Sequence, residues 1–216
     1  MATKKIVIYI EGQGGGEKPK RRRYLDGEFR KSWKLFLKPL ADHAKSKGVS
    51  HFQCIPGYGG DQAIDLFGHR RASAANHLHI LLIDSEGPVQ DVSKPWIALG
   101  KTPPAGVTDD HCYLIVQSLE TWLCADLSGL QSYFDKPKKC FKPAGIPTQN
   151  LEQVDRKKLD KLLKAATVDC GRQQEYDHAD GNIIIGQLDQ AKLKTLSSVQ
   201  RLFNDLTKVI EDYANS

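Results

Sequence analysis

No apolar run in the chain approaches the roughly 20 residues that a membrane-spanning helix needs. The opening stretch, Met1-Ala2-Thr3-Lys4-Lys5, leads into only five apolar residues before Glu11, too few for the apolar core of a secretory signal. Cysteine is sparse and odd in number. Cys54, Cys112, Cys124, Cys140 and Cys170 form no CxxC pair, which argues against a zinc ribbon and leads us to expect reduced thiols in a cytoplasmic protein. The phosphate-loop pattern GxxxxGK(S/T), the zinc-protease pattern HExxH and the hydrolase elbow GxSxG are all absent. No internal repeat is found, and no low-complexity segment beyond Gly14-Gly15-Gly16.

What remains is a soluble, globular composition: 216 residues, 40% hydrophobic and 26% charged, enough for one substantial core with or without an appendage. The formal net charge is +5, unevenly spread. One basic stretch runs from Lys18 through Lys20, Arg21, Arg22 and Arg23 to Arg30, Lys31, Lys34 and Lys38. A second runs through Lys136, Lys138, Lys139 and Lys142, then Arg156, Lys157, Lys158, Lys161 and Lys164. Such stretches suit a polyanion such as DNA or RNA, with Lys20, Arg21, Arg22, Arg23, Lys138 and Lys139 as the candidate contacts. A merely solvated helix face would carry the same charges.

Strands alternating with helices predict an α/β fold with a parallel sheet of about four strands. Strands are expected at 4–10, 50–55, 77–83 and 112–117, and helices at 22–47, 61–75, 119–130, 155–166 and 195–212. The runs 6–10 and 80–83 lack alternation and read as central strands buried on both faces. Helix 22–47 presents Leu25, Phe29, Trp33, Phe36, Leu37 and Leu40 as one stripe, and helix 195–212 has an equally clear apolar face. Composition changes near residue 131, so the chain divides into a core over 1–130 and a helical appendage over 131–216 packed on it.

The chemistry lies where strands meet acids. Ile6-Val7-Ile8-Tyr9-Ile10 ends at Glu11-Gly12, and His79-Ile80-Leu81-Leu82-Ile83 ends at Asp84-Ser85-Glu86. Tyr113-Leu114-Ile115-Val116 is followed by Gln117-Ser118-Leu119-Glu120. Parallel sheets place ligands beyond the carboxyl ends of their strands. Carboxylates gathered there repel one another unless a cation intervenes, and Mg²⁺ or Mn²⁺ takes oxygen donors of this kind. If strand three continues through residue 86, Asp84 and Glu86 point to one side and reach one ion. Glu120 is either a further ligand or an acid favoured by a helix's first turn. Lys101, Asp109, Asp110 and His111 lie between strands three and four, within conceivable reach. Among the histidines, His77 and His79 suit the sheet edge or core, while His178 sits in a polar loop that could contribute to a substrate channel.

A strand ending in Glu-Gly, then a later strand ending in an acid-x-acid pair, resembles the Toprim domain of topoisomerases, primases and overcoming-lysogeny-defect nucleases. The resemblance implies that Glu11 is a general acid or base and that Asp84 and Glu86 bind the metal, with Glu86 replacing the usual second Asp. Ile8-Tyr9-Ile10-Glu11-Gly12, Leu82-Ile83-Asp84-Ser85-Glu86 and Val116-Gln117-Ser118-Leu119-Glu120-Thr121-Trp122-Leu123-Cys124-Ala125-Asp126 together resemble the bacterial family called domain of unknown function 4276, and the Glu-x-Trp element resembles the RloB-like group. This implies a Toprim-like, metal-dependent nuclease, the effector of an anti-phage system with an ABC-type or structural-maintenance-type ATPase as partner. A homo-oligomer is left open. Two rival readings stand beside it: a non-catalytic Toprim-derived module that binds an ATPase or nucleic acid, and a phosphotransfer or nucleotide-hydrolysing enzyme using the same acids.

Overall fold

The β-rich, unalternating runs become the middle of the sheet. In a computed structural model, which describes residues 3–12, 19–136, 139–170 and 175–216 and only the backbone of 19–24, strand β1 spans Lys5–Gly12 and β3 spans Leu78–Asp84. They pair in parallel, with β2 (His51–Tyr58) outside β1 and β4 (Cys112–Ile115) outside β3, giving the order β2-β1-β3-β4. Alternate residues serve two cores. Ile6, Ile8, Ile10, Ile80, Leu82, Tyr113 and Ile115 face one apolar cluster, whereas Val7, Tyr9, Leu81, Ile83, Cys112 and Leu114 face the other. Burial on both faces is why these strands carry no polar alternation. The result is an α/β fold with a four-strand parallel sheet flanked by helices, consistent with a Toprim-like core.

Helix α1 (Pro19–Phe36) and α2 (Lys38–Ser46) take the place of the single helix expected over 22–47. Pro39 supplies the reason: lacking an N–H, and with a ring that collides with the carbonyl four residues back, it belongs in a first turn, and α2 restarts there. Helix α3 (Gly60–Ser73) crosses the smaller core. Its first turn presses on the end of β2 so closely that a Cβ on Gly57 would stand 2.5 Å from the Cβ of Ala63. A short α4 (Pro95–Ala98) follows β3. The helix expected over 119–130 also divides, into α5 (Leu119–Cys124) and α6 (Leu127–Phe134), where the buried Asp126 caps α6 by accepting from Gly129 N at 3.0 Å.

The chain beyond residue 131 supplies α7 (Arg156–Thr167), α8 (His178–Ile184), α9 (Gln190–Leu193) and α10 (Ser197–Asn215). Their apolar residues join the larger cluster: Leu159, Leu163, Ile184, Leu206 and Ile210 pack with Trp33, Trp122 and the isoleucines of β1. Each such side chain contributes about 1.5–3 kcal/mol by leaving water. The 3₁₀ turn after α8 lies against α1 so tightly that a Cβ on Gly186 would meet Ser32 Cα at 2.7 Å.

Two cysteines depart from the expectation of reduced thiols. Lys142 N donates to Ala166 O at 2.8 Å, bringing Cys140 beside the end of α7, and Cys140 and Cys170 are joined in a disulfide. Cys54, Cys112 and Cys124 are free and buried, and burial pushes their thiols up, Cys54 to about 12, so none is poised as a thiolate nucleophile. The inference of a reducing compartment loses the support of the joined pair. Among the described residues no helix is long and apolar enough to cross a membrane.

Candidate functional site

The carboxyl ends of β1 and β3 open into a cavity of about 530 Å³. Glu11, Asp84, Glu86, Glu120, Asp160, Arg156, Lys157 and His178 all line it, with Ser118 and Asn182. The structure therefore brings together the four strand-end acids Glu11, Asp84, Glu86 and Glu120, and adds ionic groups from α7 and α8.

Glu11 ends β1 against the start of α3. Its Oε2 accepts from Asp84 N at 3.1 Å, and the N–H of Gly60 also favours its charge. Burial nonetheless outweighs these bonds and, with the nearby Glu86, raises its carboxyl above the ordinary range. Asp84 is pushed further. Burial comes first among the causes, then repulsion from Glu11, Glu120 and Glu86, and its pKa lies well above the usual value for aspartate. Arg156 opposes both shifts without overcoming them.

Glu86 sits differently from the expected arrangement. Strand β3 ends at Asp84, and Glu86 takes a left-handed backbone with φ of 59°. Ser85 N bonds to Ile115 O and Glu86 N to Gln117 O, while Ser85 Oγ donates to Gly87 O and accepts from Gln117 N. These bonds fix a turn, so the every-second-residue rule that would align Glu86 with Asp84 stops applying. The Glu86 carboxylate faces Arg156 instead, with contacts of 3.0 and 3.4 Å, and is largely exposed.

Glu120, in the first turn of α5, is the most deeply buried acid of the group, with 5% of its side chain exposed. Its Oε1 lies 2.5 Å from His178 Nδ1 and accepts from the Tyr176 hydroxyl at 2.6 Å. Burial pushes this carboxyl up, but the bonds from His178, Ser118 and Tyr176 prevail and hold it down at about 2. The same contact raises His178 above an ordinary imidazole. On the other side of the ring, His178 Nε2 stands 3.5 Å from Asp160 Oδ1.

The remaining candidates scatter. Lys101 pairs with Asp61 at 2.9 Å and is not among the described residues lining the cavity. Asp109, Asp110 and His111 precede β4 and so lie at its amino end. His79 is buried in the sheet, bonded to the Tyr9 hydroxyl at 3.0 Å. Lys139 is exposed and is not among the described residues lining the cavity. The side chains of Lys20, Arg21, Arg22 and Arg23, and Lys138, lie outside the described residues.

Asp160 and Asn182 escaped the sequence reading. Asp160 shares a face of α7 with Arg156, four residues earlier, a spacing that could have marked a functional face within the second basic stretch. Asn182 lies mid-helix in α8, accepts from Trp33 Nε1 at 2.8 Å, and gave no signal of its own. No family model, curated protein or solved structure matches the chain.

Proposed function

We propose that the chain is a Toprim-like phosphodiesterase that cleaves nucleic acid with Mg²⁺ or Mn²⁺. The observation that carries this reading is the convergence on Asp84: a half-buried carboxylate at the end of a central strand shares one cavity with Glu11, Glu86 and Glu120, and this crowding and desolvation raise its pKa. A group in that position gains most from a bound cation, because the cation removes both the desolvation and the repulsion. The donor set fits a hard divalent ion, since Glu11, Asp84 and Glu120 offer only carboxylate oxygen. Asp84 and Glu120 are the residues that would hold it, with Glu86 able to join by leaving Arg156. Bound there, such an ion neutralises charge on a scissile phosphate and lowers the pKa of a water.

Glu11 then serves as the base. Its raised carboxyl is better matched to accepting a water proton near neutrality than an ordinary glutamate would be, and Asp84 N holds it in place. Arg156 and Lys157 on the cavity wall supply cations for phosphate oxygens, continuing the basic stretch along α7. Binding should weaken steeply with added salt, as phosphate contacts do. The ATPase partner and the anti-phage role rest on the resemblance to domain of unknown function 4276 and the RloB-like group, and a place in the cytoplasm on the three free cysteines.

The test is cleavage of single- and double-stranded DNA and RNA in Mg²⁺ or Mn²⁺, by wild type, Glu11→Gln and Asp84→Asn. Each variant should lose about 10²–10⁴-fold in rate while remaining folded. Wild-type rates in both variants would overturn the assignment, and binding of polynucleotide without any cleavage would favour the non-catalytic module.

A further inference from the structure

The geometry points to a second cation site in the same cavity: Glu120, Asp160 and His178 form a mixed oxygen-and-nitrogen site for a divalent transition-metal ion such as Mn²⁺, in preference to Mg²⁺. This deepens the reading above by naming a further ion and its ligands, and its role in cleavage rests on that reading. The binding itself does not.

Three elements contribute one ligand each: α5, α7 and α8. One oxygen of Glu120, one of Asp160 and one ring nitrogen of His178 all lie within 4.8 Å of one another. The Asp160 Oδ1 facing His178 is shielded from solvent yet makes no hydrogen bond, while Oδ2 takes Lys164 Nζ at 3.0 Å. Ser118, two residues before Glu120, is 4% exposed and lines the same cavity, where its side chain favours the Glu120 carboxylate. Buried polar atoms are nearly always satisfied, so the Asp160 Oδ1 that makes no hydrogen bond while facing the His178 ring is a donor position that a cation would fill.

The donor set decides the ion. Imidazole suits first-row transition ions, whereas Mg²⁺ prefers oxygen throughout. Glu120 would be shared between the two ions, and the strand-end acids Glu11, Asp84 and Glu86 add no nitrogen, so the two ends of the cavity differ in preference. The Tyr176 hydroxyl, donating to Glu120 Oε1 at 2.6 Å, orients that ligand from behind. Two of the three ligands lie beyond residue 131, so the C-terminal helices build part of the site as well as covering the sheet.

The experiment is Mn²⁺ titration of tag-free protein followed by electron paramagnetic resonance, with pulsed detection of ¹⁴N coupling, in the presence of millimolar Mg²⁺. Wild type should show Mn²⁺ coupled to one imidazole nitrogen. His178→Gln should lose the coupling, and His178→Gln and Asp160→Asn should each weaken binding about tenfold or more. Asp84→Asn should keep the nitrogen coupling. Absence of ¹⁴N coupling in wild type overturns the site without reference to any variant, as does unchanged coupling in a folded His178→Gln. Nitrogen coupling in a protein that cleaves no polynucleotide upholds the site and removes the nuclease reading. Cleavage without nitrogen coupling does the reverse.

Discussion

Two halves of one cavity treat the same functional group in opposite ways. At the strand ends, Glu11 and Asp84 have few partners for their charge, and burial with mutual repulsion drives both carboxyls up. Across the cavity, Glu120 is at least as buried, yet His178, Ser118 and Tyr176 hold its carboxyl at about 2. Burial alone therefore does not set a carboxylate's state. The partners do, and each half draws them from a different part of the chain. Asp84 is surrounded by other acids from strand ends and the turns after them. Glu120 meets groups delivered by the C-terminal helices.

The comparison can be broken most forcefully from the C-terminal side. The Cys140–Cys170 bond closes a sequence separation of 30 residues at the end of α7, the helix carrying Arg156 and Asp160. Cys140→Ser with Cys170→Ser should cost about 3 kcal/mol, read by urea unfolding. Chain β1–β3 packing should outlast α7 in hydrogen exchange. Equal loss of protection in both would show that the halves are not separable.

The next largest effect is Glu120→Gln. Glu120 titrates from an ordinary value of 4.5 down to about 2 on folding, so its contribution is present above pH 4.5 and lost as pH falls toward 2. The shift corresponds to about 3 kcal/mol, and the exposure of His178 reduces our expectation to about 2 kcal/mol at pH 7. Thermal melts of wild type and variant from pH 7 to pH 2 should converge at the acid end. Asp84→Asn should act in the opposite sense. Because the folded pKa of Asp84 is raised, its ionised form opposes folding, and stability falls as pH rises through that folded value. In metal-free buffer at pH 7 the variant should gain about 1 kcal/mol, the common cost of a functional group retained against stability. The smallest effect is Arg156→Ala. Its pair with Glu86 is exposed and should contribute under about 1 kcal/mol, while polynucleotide affinity and its salt dependence should both fall.

The sequence revealed one half of this cavity far better than the other. Strand ends are local: Ile6 to Ile10 followed by Glu11, and Leu81 to Ile83 followed by Asp84, announce both a buried strand and the acid that emerges from it. Glu86 reaches the cavity through a turn rather than by strand alternation, and the bonds that fix the turn come from Ile115 at the end of β4 and from Gln117 just after it, some 30 positions away. Pro39 is legible in the sequence, since the break between α1 and α2 follows from its missing N–H. Asp160, His178 and the Cys140–Cys170 pair could not be read in the same way. Their partnerships are set by how α7 and α8 pack on the large core, and no spacing within either helix encodes it.

The most direct test is a carbon-detected NMR titration of the side-chain carboxyls of Asp84 and Glu120, without metal and then with saturating Mg²⁺. Asp84 should titrate above the ordinary aspartate range without metal and drop when Mg²⁺ is added, while Glu120 stays near 2 until metal reaches it. An Asp84 that titrates as an ordinary aspartate and ignores Mg²⁺ would contradict the account.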